Sequence, residues 1–198
     1  MRALIIVAFL AVGVLSSTAA QGPSYDLVIR NGRIADGSGS PWYRGDVAIR
    51  GDTIVRVAPS ITDAATRILD AAGQVIAPGF IDIHSHAREG IFESPAAENY
   101  IRQGVTTVIE GPDGSSPLPI AEFLARLDAL AKTINIGTMV GQGSVRAAVI
   151  GLVDRKPTEG ELARMRTLVE EGMKDGAFGL SSGLFYVPGS FITPSKMQ

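Results

Sequence analysis

The chain has 198 residues, no cysteine, and 18 Lys plus Arg against 20 Asp plus Glu, for a formal net charge of −2. Without cysteine neither disulfide bridges nor thiolate ligands are available, so any bound metal must be held by nitrogen and oxygen. The basic residues are scattered rather than clustered, which gives no electrostatic footprint for nucleic acid and points to a small-molecule partner.

The chain opens with Met1-Arg2, an apolar run from Ala3 to Leu15, and the small residues Thr18-Ala19-Ala20. One positive charge, a short apolar stretch and a small-residue site form the layout of a cleavable secretory signal peptide over residues 1–20. A spanning helix wants about 20 apolar residues, and this run is shorter, so no stable membrane anchor is expected. The expected location is therefore periplasmic or secreted.

Residues 21–74 read as a small β-domain. Between Tyr25 and Val57, β-branched stretches are punctuated by Asn31-Gly32 and Gly51-Asp52. Such pairs tolerate positive φ and favour two-residue hairpin loops. No chemical constellation accompanies them.

From Val75 onward strands alternate with amphipathic helices, the pattern of parallel βα units. The first strand ends in Phe80-Ile81-Asp82-Ile83-His84-Ser85-His86, which contains both histidines of the chain. Side chains at i and i+2 of a strand share a face, so the two imidazoles project together from its carboxyl end. Neutral imidazole offers a lone pair to zinc or a similar divalent ion, although a lone His-x-His also fits a polar strand terminus.

A helix is expected around residues 96–102, then a strand at Thr106-Thr107-Val108-Ile109. Pro119 marks a helix start, with Ile120, Phe123, Leu124, Leu127 and Leu130 forming one apolar stripe. A strand follows at residues 136–140, weakened by Gly137. Thr158-Glu159-Gly160-Glu161 has capping-box spacing, and Leu162, Met165, Leu168, Val169 and Met173 face one side of the helix that Lys174-Asp175-Gly176 closes. Ala177-Phe178-Gly179-Leu180 reads as a fourth strand.

The segment from Gln74 through Pro78-Gly79-Phe80-Ile81-Asp82-Ile83-His84-Ser85-His86, preceded by the sheet segment from Tyr25 to Ile34, resembles the amidohydrolase superfamily. Arg102-Gln103-Gly104-Val105-Thr106-Thr107-Val108, Gly176 through Leu184, and Tyr186-Val187-Pro188-Gly189 are similar to its D-aminoacylase, or N-acyl-D-amino-acid deacylase, branch. The resemblance implies an α/β fold: the N-terminal part of a TIM-type (β/α)₈ barrel of a metal-dependent hydrolase, preceded by the small β-domain. Residues 75–198 are then the first half of that barrel. A complete barrel needs roughly 250 residues, so about four strands read as an N-terminal fragment of a longer enzyme.

The resemblance also places His84 and His86 as metal ligands, in agreement with the strand geometry. Asp113 in Gly111-Pro112-Asp113-Gly114 stands where the branch usually carries a metal-binding cysteine. Carboxylate is a competent zinc ligand and can bridge two ions, so one or two divalent ions, zinc foremost, are implied. Pro-Asp-Gly is also a turn signal on its own account. Glu110 is the fallback ligand or, equally, a member of a buried ion pair. Tyr186 matches a position that helps bind substrate in related deacylases, where a phenol can donate to a carboxylate, or it packs within its loop. Ser181 and Ser182 have no nearby His base and lie outside any Gly-x-Ser-x-Gly arrangement, and Gln142, where relatives often show His, receives no role.

The implied reaction is deacylation of a small N-acyl-D-amino acid by metal-activated water. The general acid/base, an Asp, and two further histidines are expected beyond residue 198. A cyclic-amide or dipeptide hydrolase is the alternative enzyme reading, and a non-catalytic truncated product the alternative outside enzymology.

Overall fold

A computed structural model describes residues 24–191, so the leader read at residues 1–20 lies outside the described residues. Chain contacts divide into two compact units between Pro78 and Gly79.

The first unit is a mixed sheet of β1 (Tyr25–Ile34), β2 (Tyr43–Arg50), β3 (Thr53–Ala58), β4 (Ala65–Asp70) and β5 (Val75–Ile76), in the order β3-β2-β1-β4 with β5 also on β1. β2 and β3 form the hairpin expected at Gly51-Asp52, with Gly51 at φ +58°. The hairpin expected at Asn31-Gly32 is not there. β1 runs straight through it, and the pairing jumps from Ile29↔Val47 to Gly32↔Gly45, so Arg30 and Asn31 together face Asp46 alone. Asn31 uses its tolerance of positive φ (+59°) in this β-bulge. The pair Val75–Ile76 hydrogen-bonds alongside Arg33 and Ile34, which places the contact boundary after Pro78 rather than after residue 74. Val28, Ala48 and Ile61 are the buried centre of this unit.

The second unit opens with β6 (Phe80–Ser85), α1 (Glu98–Ile101), β7 (Val105–Glu110), α2 (Ile120–Asp128) and β8 (Asn135–Thr138). Strands β6, β7 and β8 pair in parallel in that order, as expected for the first part of a (β/α)₈ barrel. The helix expected at residues 96–102 is a single turn. α2 starts at Pro119 as its sequence indicates and buries Ile120, Phe123 and Leu127. Phe123 and Leu127 pack with Val108, Ile91 and Ile134. Full burial of one such side chain stabilises by about 1.5–3 kcal/mol.

The strand expected over residues 136–140 breaks at Met139 because the backbone changes partner there. Met139 N–H donates to the Glu110 carbonyl on β7, whereas Val140 N–H donates to the Gly179 carbonyl. Thus β9 (Val140–Gly141) pairs in parallel with β10 (Leu180–Ser181), all that remains of the fourth strand. α3 (Gln142–Ile150) follows β9 directly. α4 (Glu159–Lys174) has the full capping box: Glu161 N–H donates to Thr158 Oγ1, and Thr158 N–H donates to the Glu161 carboxylate. Met165, Leu168 and Val169 pack on Ile120, Val140 and Val145, but Met173 is exposed and Gly172 is the buried residue of that turn. No helix among the described residues is long and apolar enough to cross a membrane.

Register places Ser85, Glu110 and Thr138 side by side at the carboxyl ends of β6, β7 and β8, and all three are buried. In a (β/α)₈ barrel this end carries the chemistry, and the loops just beyond it are where the candidate groups lie.

Candidate metal centre

Ser85 fixes the end of β6. Its hydroxyl is 3.0 Å from the Tyr100 hydroxyl and accepts from the Ala87 N–H at 3.0 Å, on the buried side of the strand. Strand alternation then sends His84 and His86 together to the other side, although β6 ends at Ser85 and His86 begins the following turn. Asp113 arrives from β7 through a tight turn in which Gly111 and Gly114 hold φ values of +81° and +76°. Both values lie where glycine has no steric penalty.

The three side chains meet. Asp113 Oδ2 lies 3.3 Å from Nε2 of His84 and 3.3 Å from Nε2 of His86. One donor atom from each residue falls within 4.8 Å of the others. Tetrahedral zinc with nitrogen and oxygen ligands at about 2.0–2.1 Å requires donor atoms roughly 3.3–3.4 Å apart, so the carboxylate stands at coordination spacing from both imidazoles. The side chains are 61%, 50% and 28% exposed for His84, His86 and Asp113. A bare ion pair at such exposure contributes little stability, whereas an ion reached from solvent remains open to a substrate.

Glu110 is absent from this cluster. Its carboxylate is fully buried, neither oxygen has a hydrogen-bond partner of good geometry, and burial holds its pKa above the ordinary 4.5 despite the nearby Ser85 hydroxyl and Arg88. The fallback ligand is thus not among the converging donors. Tyr186, by contrast, lines a cavity of about 380 Å³ together with His86, Asp113, Arg88 and Ser144. Arg88 braces that cavity by donating to the carbonyl and hydroxyl of Ser115 at 2.5 and 3.1 Å. A larger cavity of about 630 Å³ lies between α3 and α4, takes in Gln142 and Ser182, and includes none of the three converging groups.

No protein-family model matches the chain. It is 36% identical over 196 residues to the D-aminoacylase of Alcaligenes xylosoxydans xylosoxydans, covering 87% of this chain and 40% of that protein. The N-acyl-D-glutamate deacylase of the same organism is 34% identical over 195 residues, with 87% and 40% covered. Among solved structures, N-acyl-D-glutamate deacylase from Bordetella bronchiseptica, complexed with zinc and a phosphonate inhibitor, superposes with a TM-score of 0.81 at 31% identity, covering 87% of this chain and 41% of that one. The chain is a homologue of the D-aminoacylases.

The match extends over 87% of this chain, and the solved relatives share its α/β fold. The chain spans about 40% of the length of the D-aminoacylase relatives. Two features of this D-aminoacylase homologue lie outside the sequence motifs. α3 is weakly announced, because Gly141 and Gly143 flank its start, though Gly151 at φ +74° is a recognisable helix stop. The buried hydroxyl of Ser181 touches the Asp113 turn, a contact that residue type and spacing alone do not reveal.

Proposed function

We propose that this protein is a metal-dependent N-acyl-D-amino-acid deacylase in which His84, His86 and Asp113 hold a zinc ion. The observation that carries the reading is the approach of Asp113 Oδ2 to 3.3 Å from both imidazole nitrogens, at the carboxyl ends of adjacent parallel strands. Likeness to proteins that are D-aminoacylases and N-acyl-D-amino-acid deacylases supports the substrate class. Zinc bound there would supply a Lewis acid for the amide carbonyl and lower the pKa of water.

The residues of this chain divide the remaining work. His84 and His86 provide neutral nitrogen donors, and Asp113 offsets part of the ion's charge. Tyr186, which lines the same cavity as His86 and Asp113, donates a hydrogen bond from its phenol to the substrate's carboxylate or acyl oxygen and orients the scissile amide. Arg88 and Ser115 keep the floor of the cavity in place. The amino-terminal leader read in residues 1–20 supports an exported enzyme, and sequencing the mature amino terminus should find cleavage after Ala20.

The deciding experiment measures metal content and turnover of the full-length protein on matched N-acetyl-D- and N-acetyl-L-amino acids. Zinc at one or two equivalents with strong preference for the D series is expected, and His84→Ala or His86→Ala should remove both metal and activity. Unchanged metal content and turnover in both variants would falsify the assignment.

A further inference from the structure

The turn that presents Asp113 is held by a residue 67 positions away. Ser181 closes β10 and is buried, at 8% exposure. Its hydroxyl accepts from the Gly114 N–H at 3.1 Å and donates to the Gly111 carbonyl oxygen. One side chain therefore ties together both ends of the four-residue turn whose third residue is Asp113.

The packing around the turn leaves it no slack. A Cβ on Gly183 would overlap the Asp113 carbonyl oxygen, and one on Gly141 or Gly143 would come within 2.6 or 2.8 Å of the Gly114 carbonyl oxygen. Backbone just after β10 and at the β9–α3 junction thus packs directly against the Asp113 turn. Ser181 supplies the directional part of that contact. Because its proton is committed to Gly111, the hydroxyl is placed to hold a turn rather than to attack a substrate.

We infer that Ser181 is a positioning residue for the metal centre: through Gly111 and Gly114 it sets the distance from the Asp113 carboxylate to the imidazoles of His84 and His86. The inference rests on the reading of Asp113 as a ligand. Its physical basis is that groups orienting a ligand are worth about 10–100-fold in metal affinity.

The test is a cobalt(II) titration of the full-length protein, followed by affinity and visible absorption. Ser181→Ala should weaken cobalt binding about 10–100-fold and move the spectrum toward that of Asp113→Ala. In the Asp113→Ala background the same change should alter affinity less than about twofold, because both substitutions then act on one interaction. Ser182→Ala, at the exposed neighbour, should leave affinity and spectrum unchanged. If Ser181→Ala does not fold, Ser181→Cys, close in shape but weak in hydrogen bonding, takes its place with the same expectations. Wild-type affinity and spectrum in the Ser181 variant, or equal weakening in both backgrounds, would overturn the inference. Wild-type cobalt binding by Asp113→Ala would instead overturn the metal reading beneath it.

Discussion

Asp46 in the first unit and Glu110 in the second are both buried carboxylates, at 5% and 0% exposure, and they live under opposite conditions. Asp46 accepts from the Asn31 N–H at 2.9 Å through one oxygen and from the Ile61 N–H at 2.8 Å through the other. Its charge is spent on backbone groups that would otherwise be orphaned. Glu110 lies at the end of β7 with neither oxygen well partnered, and burial raises its pKa. Native proteins seldom leave buried polar atoms unsatisfied, and where they do the neighbourhood is worth reading for function. The first unit uses its buried acid to fix a bulge, whereas the second keeps an uneasy acid directly beneath the loops that carry His86 and Asp113.

The largest expected effect breaks this comparison at its functional end. Asp113→Asn preserves the shape of the side chain but weakens it as a ligand, so activity of the full-length protein should fall on the order of 100-fold, with lower metal occupancy by elemental analysis. Wild-type behaviour would reduce Asp113 to a turn residue. Next comes Asp46→Ala, which strands the N–H groups of Asn31 and Ile61. Urea denaturation should show a loss of roughly 2–4 kcal/mol, while metal content per folded molecule stays constant. A drop in metal content would show that the sheet unit is not the purely structural partner in the comparison.

Glu110→Gln sharpens the contrast. Since the folded pKa of Glu110 is raised, the native state retains its proton more readily than the unfolded chain does. Stability owed to this group is present below pH 4.5 and is lost as pH rises through the higher folded value. The glutamine variant should therefore be more stable than wild type at pH 7, with the difference shrinking as pH falls below 4.5. A less stable variant at pH 7 would mean that the carboxylate's contacts with Ser85 and the Ala87–Arg88 turn outweigh its desolvation.

The smallest effect belongs to the α4 cap. Thr158→Ala should cost about 1 kcal/mol, read from thermal unfolding. Arg155, through its side-chain hydrogen bonds, and then Thr158 hold the Glu161 pKa down to about 2. That depressed value puts the cap's electrostatic contribution fully in place above pH 4.5, and it is lost as pH falls through about 2. The Thr158→Ala difference should shrink in that acid range and remain constant from pH 5 to 8.

What the sequence made legible was whatever depends on local pattern. The capping box of α4, the Pro119 start of α2 and the Gly51-Asp52 hairpin are decided within a few residues, and each stands where its signal lies. His84 and His86 were readable for the same reason, since strand alternation is a local rule. Asn31-Gly32 carried the right local message, positive φ, with two structural outcomes available to it. Only the pairing with β2 and the Asp46 carboxylate decided for a bulge. The Ser181 contact and the partner change at Met139 depend on residues tens of positions apart, which no window along the chain brings together.

The bulge has one more consequence, for insertions and deletions. Asn31 is the extra residue that lets Ile29 pair with Val47 while Gly32 pairs with Gly45. Removing it would leave Arg30 alone opposite Asp46, so that Ile29 with Val47 and Gly32 with Gly45 would become parts of one regular antiparallel ladder with no change of register on either side. Val28 would stay at the buried centre of the unit opposite Ala48, and what would go is the Asn31 N–H that donates to Asp46 Oδ1. Substitution of Asn31 costs a favourable conformation; its deletion would spare the register and instead leave a buried carboxylate oxygen of Asp46 without its donor.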